Sequence, residues 1–118
     1  MKKSLLLALS VLGGLYLSGP QTPVSYATTG DVAKGKKIYL QNCATCHGKT
    51  GLADGPTGKV LNPKPRDFTK AQFKYAKTDA ELVKFIQAGK GAMPGWKSTL
   101  SEAQIKDVLA FIHTLKKK

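Results

Sequence analysis

With 118 residues the chain has room for one small domain. Its 19 lysines and arginines against 7 acids give a formal net charge of +12. That excess suits acidic partners or anionic surfaces, and with no nucleic-acid-binding motif nucleic acid is not an expected partner. The only two cysteines, Cys43 and Cys46, are too close in sequence to staple distant parts of a fold, which excludes a disulfide scaffold.

The N-terminus reads as an export signal. Lys2 and Lys3 precede the apolar run Leu5 to Leu17, and Ser25-Tyr26-Ala27 places small residues where a signal peptidase cuts. The run is shorter than a membrane span needs. The expected division is a signal peptide over residues 1–27 and one domain over residues 28–118. No cysteine lies near the cut, which argues against a lipid anchor; left uncut, the segment would act as an N-terminal membrane anchor. Export implies a periplasmic or thylakoid-lumen-like compartment. Cleavage would remove Lys2 and Lys3 and leave 17 basic against 7 acidic residues, a net charge of +10. So small a domain is marginally stable unless something besides its own side chains fills the core.

Three helices follow in chain order. The first is expected from Asp31, its N-cap, to Asn42, with Val32, Ile38 and Tyr39 on one side. Gly35 inside it costs about 1 kcal/mol relative to Ala and suits a place where another backbone comes close. The second is expected over residues 79–88, opened by a capping box at Thr78 and Glu81 and stopped by Gly89. The third is expected over residues 102–115, with two competing boxes, Ser101 with Gln104 and Thr99 with Glu102. Its Ile105, Val108, Leu109, Ile112 and Leu115 form a 3,4-spaced stripe. Between the first two helices, residues 48–77 are rich in glycine and proline and read as turns. So long a loop in a compact domain makes sense if it wraps an object that is not protein. No strand or internal repeat is evident. A near match to a phosphate-binding loop, Gly30 to Lys37, lacks the required Ser or Thr and a preceding strand.

The stretch QNCATCHGKT holds Cys43-x-x-Cys46-His47. Two thiols at this spacing can each add to one vinyl group along a porphyrin edge, with the following histidine under the iron. Thiol–disulfide exchange would call for a strand before the pair, and none is expected. Zinc would need Cys43, Cys46, His47 and His113, but adjacent Cys46 and His47 do not match zinc ligand spacings. Two buried thiols without a role complete the alternatives. A haem iron held by His47 needs a sixth ligand. Met93, in GKGAMPGW, is the only methionine beyond residue 1 and sits in a Gly/Pro loop rather than on an apolar helix face. Met/His ligation is a cytochrome c pattern. His113, the other histidine, flanks the last helix's stripe and reads as a surface residue.

From GDVAKGKKIYLQNCATCHG through GAMPGW to LSEAQIKDVLAFIHTL, the chain resembles the monohaem class I c-type cytochromes of bacteria. The resemblance implies an all-α small cytochrome c fold wrapped around one covalent haem c with its iron, the first and last helices crossing near a right angle. It places Gly35 at that crossing with Tyr39 and Phe111 beside it, although Phe111 lies off the stripe. It also implies a proline carbonyl, Pro63 or Pro65 here, accepting from the proximal histidine. Arg66 would reach a haem propionate and Trp96 would pack at the haem edge.

The expected function is single-electron transport between exported partners, without enzymatic turnover. Cys43 and Cys46 would hold the haem; His47 and Met93 would ligate its iron. A monomer docking briefly on acidic redox proteins is expected, and a basic chain also suits transient contact with an anionic membrane surface. Two alternatives stand beside this. One is a haem subunit of a periplasmic oxidoreductase complex. The other is a ligand-binding or peroxidatic haem protein in which Met93 leaves the iron.

Overall fold

The computed structural model describes residues 29–70 and 72–117, together with residues 13–15 and residue 19. Apart from those four positions, the expected export segment, residues 1–27, lies outside the described residues. Among the described residues no helix is long and apolar enough to cross a membrane.

The elements are helical: α1 Val32–Asn42, α2 Ala44–His47, α3 Asp79–Ala88 and α4 Glu102–Thr114, with 3-10 turns at Gly58–Val60 and Phe68–Lys70. Among the described residues there is no strand, only an isolated bridge between Lys90 and Met93. The Asp31 side chain caps α1, accepting from the Lys34 N–H at 3.0 Å. Both capping boxes of the later helices form, and at α4 it is Ser101 with Gln104 that closes, not Thr99 with Glu102. Gly89, with φ of +70°, turns the chain out of α3.

The domain is organised by the crossing of α1 and α4. A Cβ on Gly30 or Gly35 would collide with the main chain of α4 at Lys106 and Asp107, so the two backbones touch there. The Asp31 N–H donates to the Asp107 carboxylate at 2.7 Å and ties the same ends together. Farther along α1, the Tyr39 ring meets Phe111 with centroids 5.1 Å apart. Val32 departs from expectation: it is 45% exposed, and the buried residues of α1 are Gly35 and Tyr39.

Helix α4 is buried on more than one side. Phe111 faces α1, while the stripe of Ile105, Val108, Leu109 and Ile112 lines a cavity. The periodicity therefore marked the cavity wall rather than the helix–helix contact, which is why Phe111 fell outside it. Residues 48–60 fold back beneath α2. The Tyr39 hydroxyl donates to the Gly48 carbonyl at 2.7 Å, and Gly55 and Gly58 press against the carbonyls of residues 44–46 so closely that a Cβ would not fit. The C-terminal end is anchored by the Lys117 N–H donating to the Thr69 carbonyl at 3.0 Å.

Candidate functional site

Asn42 ends α1, and the Cys43 carbonyl accepts from the Cys46 and His47 N–H groups at 3.2 and 2.9 Å. This single turn brings Cys43, Cys46 and His47 onto one cavity of about 930 Å³. Its wall is mostly apolar, with Leu82, Phe85 and Ile86 from α3 facing the stripe of α4.

The His47 ring is fixed from two directions. It lies parallel to Phe68, centroids 4.4 Å apart, and its Nδ1 is 3.1 Å from the Arg66 carbonyl. A carbonyl can only accept, so Nδ1 carries the proton in this bond and Nε2 is left with a lone pair. Burial lowers the His47 pKa, and the Arg66 carbonyl opposes that shift. Neutral imidazole, the form that ligates metals, is therefore favoured. The expected proline carbonyl is corrected here: the acceptor belongs to Arg66, one residue beyond Pro65. The prolines set the path of the chain, but any residue on that path can offer a carbonyl.

Met93 reaches the same cavity on a tight turn. The N–H groups of Lys90 and Met93 donate to each other's carbonyls, each at 3.0 Å. Beyond it the Trp96 N–H donates to the Ile86 carbonyl at 3.0 Å, folding the chain back on the end of α3. Gly95 makes that approach feasible, since a Cβ there would sit against the Gln87 and Ala88 carbonyls. Arg66 and Trp96 line the cavity as well. The Arg66 Nε donates to the Gln72 carbonyl, which turns part of the guanidinium onto the backbone.

His113 is not among the cavity-lining residues. Its Nε2 is 2.8 Å from the Asp79 carboxylate, linking α4 to α3. The nominal zinc set is therefore not assembled, and among the described residues no group of three or more His, Cys, Asp and Glu side chains could hold a metal ion. Burial, with a smaller push from Cys46, raises the Cys43 thiol to about 11. A thiol so placed is not the low-pKa nucleophile that disulfide exchange needs. Phe68, and the stack of Tyr75 on Phe85, had no signal in the sequence because each pairs an aromatic of the irregular segment between α2 and α3 with a ring carried on a helix.

Two thiols, an imidazole with a free Nε2 and a thioether thus open on one large apolar cavity, and this donor set fits a c-type haem. The family described as "Cytochrome C oxidase, cbb3-type, subunit III" matches residues 30–112. The chain belongs to this family of c-type cytochromes. As a small monohaem cytochrome it carries covalent haem c with its iron. The cytochrome is 39% identical over 93 residues to the "Cbb3-type cytochrome c oxidase subunit CcoP" of Azospirillum sp. (strain B510), an alignment covering 75% of this chain and 30% of that one. It thus spans about a third of the length of the cbb3 subunits it matches. With the "Cytochrome c6" of Picosynechococcus sp. it shares 34% identity over 113 residues, covering 95% of this chain and 92% of the relative. A chain of the Kuenenia stuttgartiensis reducing HAO-like protein complex superposes with a TM-score of 0.67 at 29% identity, over 73% of the cytochrome and 43% of that chain. The expected helical cytochrome fold is thereby borne out.

Proposed function

We propose that this cytochrome is an exported one-electron carrier in which Cys43 and Cys46 hold the haem by thioether bonds and His47 Nε2 and Met93 Sδ ligate its iron. The bound iron would cycle between ferric and ferrous states, taking and giving one electron at a time. The observation that carries the reading is the meeting, at one cavity, of both cysteines with His47 and Met93. Arg66 and Phe68 orient the imidazole, and the α3 and α4 side chains keep water from the cavity wall. Were His47 and Met93 both to hold the iron, neither oxygen nor peroxide would find an open place on it, which favours a carrier over a peroxidatic role. Residues 1–27 act as the signal, so the protein works in a periplasmic or lumen-like compartment. Its net charge of +10 after cleavage selects acidic redox partners.

The test is Met93→Ala in the purified haem protein. A thioether favours ferrous iron relative to harder ligands. Its loss should give a high-spin or water-ligated spectrum, a lower potential and new binding of cyanide or carbon monoxide. An unchanged spectrum and potential would remove Met93 from the ligand set. A second reading, the haem-bearing part or subunit of a larger oxidoreductase complex, is favoured by the resemblance to CcoP and to a chain of the HAO-like complex. Copurification with a larger partner at high salt would select it over the mobile carrier.

A further inference from the structure

The rim of the haem cavity is electrically one-sided. Lys64, Arg66, Lys70, Lys74 and Lys90 line it, against a single acid, Asp67. Asp67 is already engaged, accepting from the Thr69 N–H at 2.9 Å and its hydroxyl at 2.6 Å, with Lys70 Nζ 3.9 Å away. Among these cations stands Tyr75, 53% exposed. The domain's other exposed large apolar residues among those described, Val32, Leu40, Leu52 and Val60, do not line the cavity.

Tyr75 is held in place. Its ring lies on Phe85, centroids 5.6 Å apart and 12° from parallel, and Phe85 is part of the cavity wall. Lys90 Nζ and Lys74 Nζ stand 4.9 and 5.3 Å from the ring centroid. Lys90 is in turn joined by paired backbone bonds to Met93. A pre-ordered aromatic ring loses little entropy on being covered, and such rings dominate small interfaces. Two ammonium groups beside it select an anionic surface and reject a cationic one.

We propose that Tyr75, flanked by Lys74 and Lys90, is the contact on which an acidic electron-transfer protein docks, its carboxylates pairing with the two lysines while its surface covers the ring. This rests on the carrier reading above. One electron leaves the partner, which is oxidised, and ferric iron is reduced to ferrous, or the reverse; no bond or proton changes place. The Tyr75–Phe85 stack puts packed atoms, in place of water, between partner and cavity wall.

The probe is a hexaglutamate peptide carrying a ruthenium(II) tris-bipyridyl group. Its photoexcited state gives one electron to the ferric protein and becomes ruthenium(III), which aniline in solution reduces. At low ionic strength Lys74→Gln/Lys90→Gln should lower the second-order rate about tenfold. Tyr75→Ala should lower it severalfold, and its deficit should persist at high salt. Absorption should stay as in the parent for every variant, and reduction by neutral lumiflavin semiquinone, photogenerated with EDTA and oxidised to lumiflavin as it gives up its electron, should slow far less than reduction by the probe. A parent protein that this strong reductant fails to reduce would sink the carrier reading itself. Normal semiquinone reduction with parent-like probe rates in either variant would overturn the docking contact alone. So would an equal rate with a hexaglutamine probe. If the double variant loses only its binding to anionic lipid vesicles, the patch faces a membrane and the proposal is likewise overturned.

Discussion

Gly35 shows how one missing methyl group fixes the architecture. Inside an exposed helix, Gly→Ala gains about 1 kcal/mol from propensity. At the α1–α4 crossing the new Cβ would meet the Asp107 carbonyl, and overpacking of this kind costs about 1–3 kcal/mol. Gly35→Ala should therefore lower the stability of the haem-bearing protein in guanidinium unfolding; a gain would show that the backbones do not touch. Tyr39 supplies a second test. Its buried hydroxyl donates to the Gly48 carbonyl at 2.7 Å, so Tyr39→Phe should cost about 1–2 kcal/mol with the ring contact to Phe111 intact. At this scale the candidate haem-attachment motif stood open in the sequence, because Cys43, Cys46 and His47 are neighbours in the chain. It hid the Arg66 carbonyl and the Phe68 ring, because a backbone acceptor carries no residue signature and the loop path that delivers both is set by turns.

Helix ends were legible because caps are local. Two boxes competed at the start of α4, and the structure closes the one at Ser101. Ser101→Ala should therefore cost about 1 kcal/mol in chemical unfolding, while Thr99→Ala should cost almost nothing; the reverse ranking would move the start of the helix. The other box has a pH signature. The Lys77 N–H, and then the Thr78 N–H, hold the Glu81 carboxylate below its ordinary value of 4.5. Its contribution is complete above that value and is lost as pH falls toward and through the lowered one. Glu81→Gln should flatten the acid limb of a stability–pH curve below pH 4.5, and an unaltered limb would show that Glu81 does not cap α3. Less legible was α2, a single turn too short for any period to show, and the two-sided burial of α4. A stripe reveals that a face is covered, not whether protein or cofactor covers it.

Across the whole molecule the sequence declared a positive excess but not its face, since nothing in the spacing of the cations between residues 64 and 90 tells which way an irregular loop turns them. It did suggest that the core is not made of protein, and the cavity gives that suggestion a magnitude. Ile105, Leu109 and Ile112 of α4 and Leu82, Phe85 and Ile86 of α3 all line a space of about 930 Å³. Without haem this space opens to water at its charged rim, and the apolar side chains along its wall would lose the burial that stabilises them. The chain without haem must therefore collapse the space or unfold, and the collapse would separate the caps and turns that hold His47 and Met93. Cys43→Ala/Cys46→Ala, produced without haem, should lose most of its far-UV helical signal and its amide-exchange protection in α3 and α4. The crossing of α1 and α4, tied by Gly30, Gly35 and the Tyr39–Phe111 contact outside the cavity wall, should retain whatever protection remains. Native-like protection throughout the haem-free chain would mean that protein contacts alone carry the fold, and that the cavity is a binding site rather than the core.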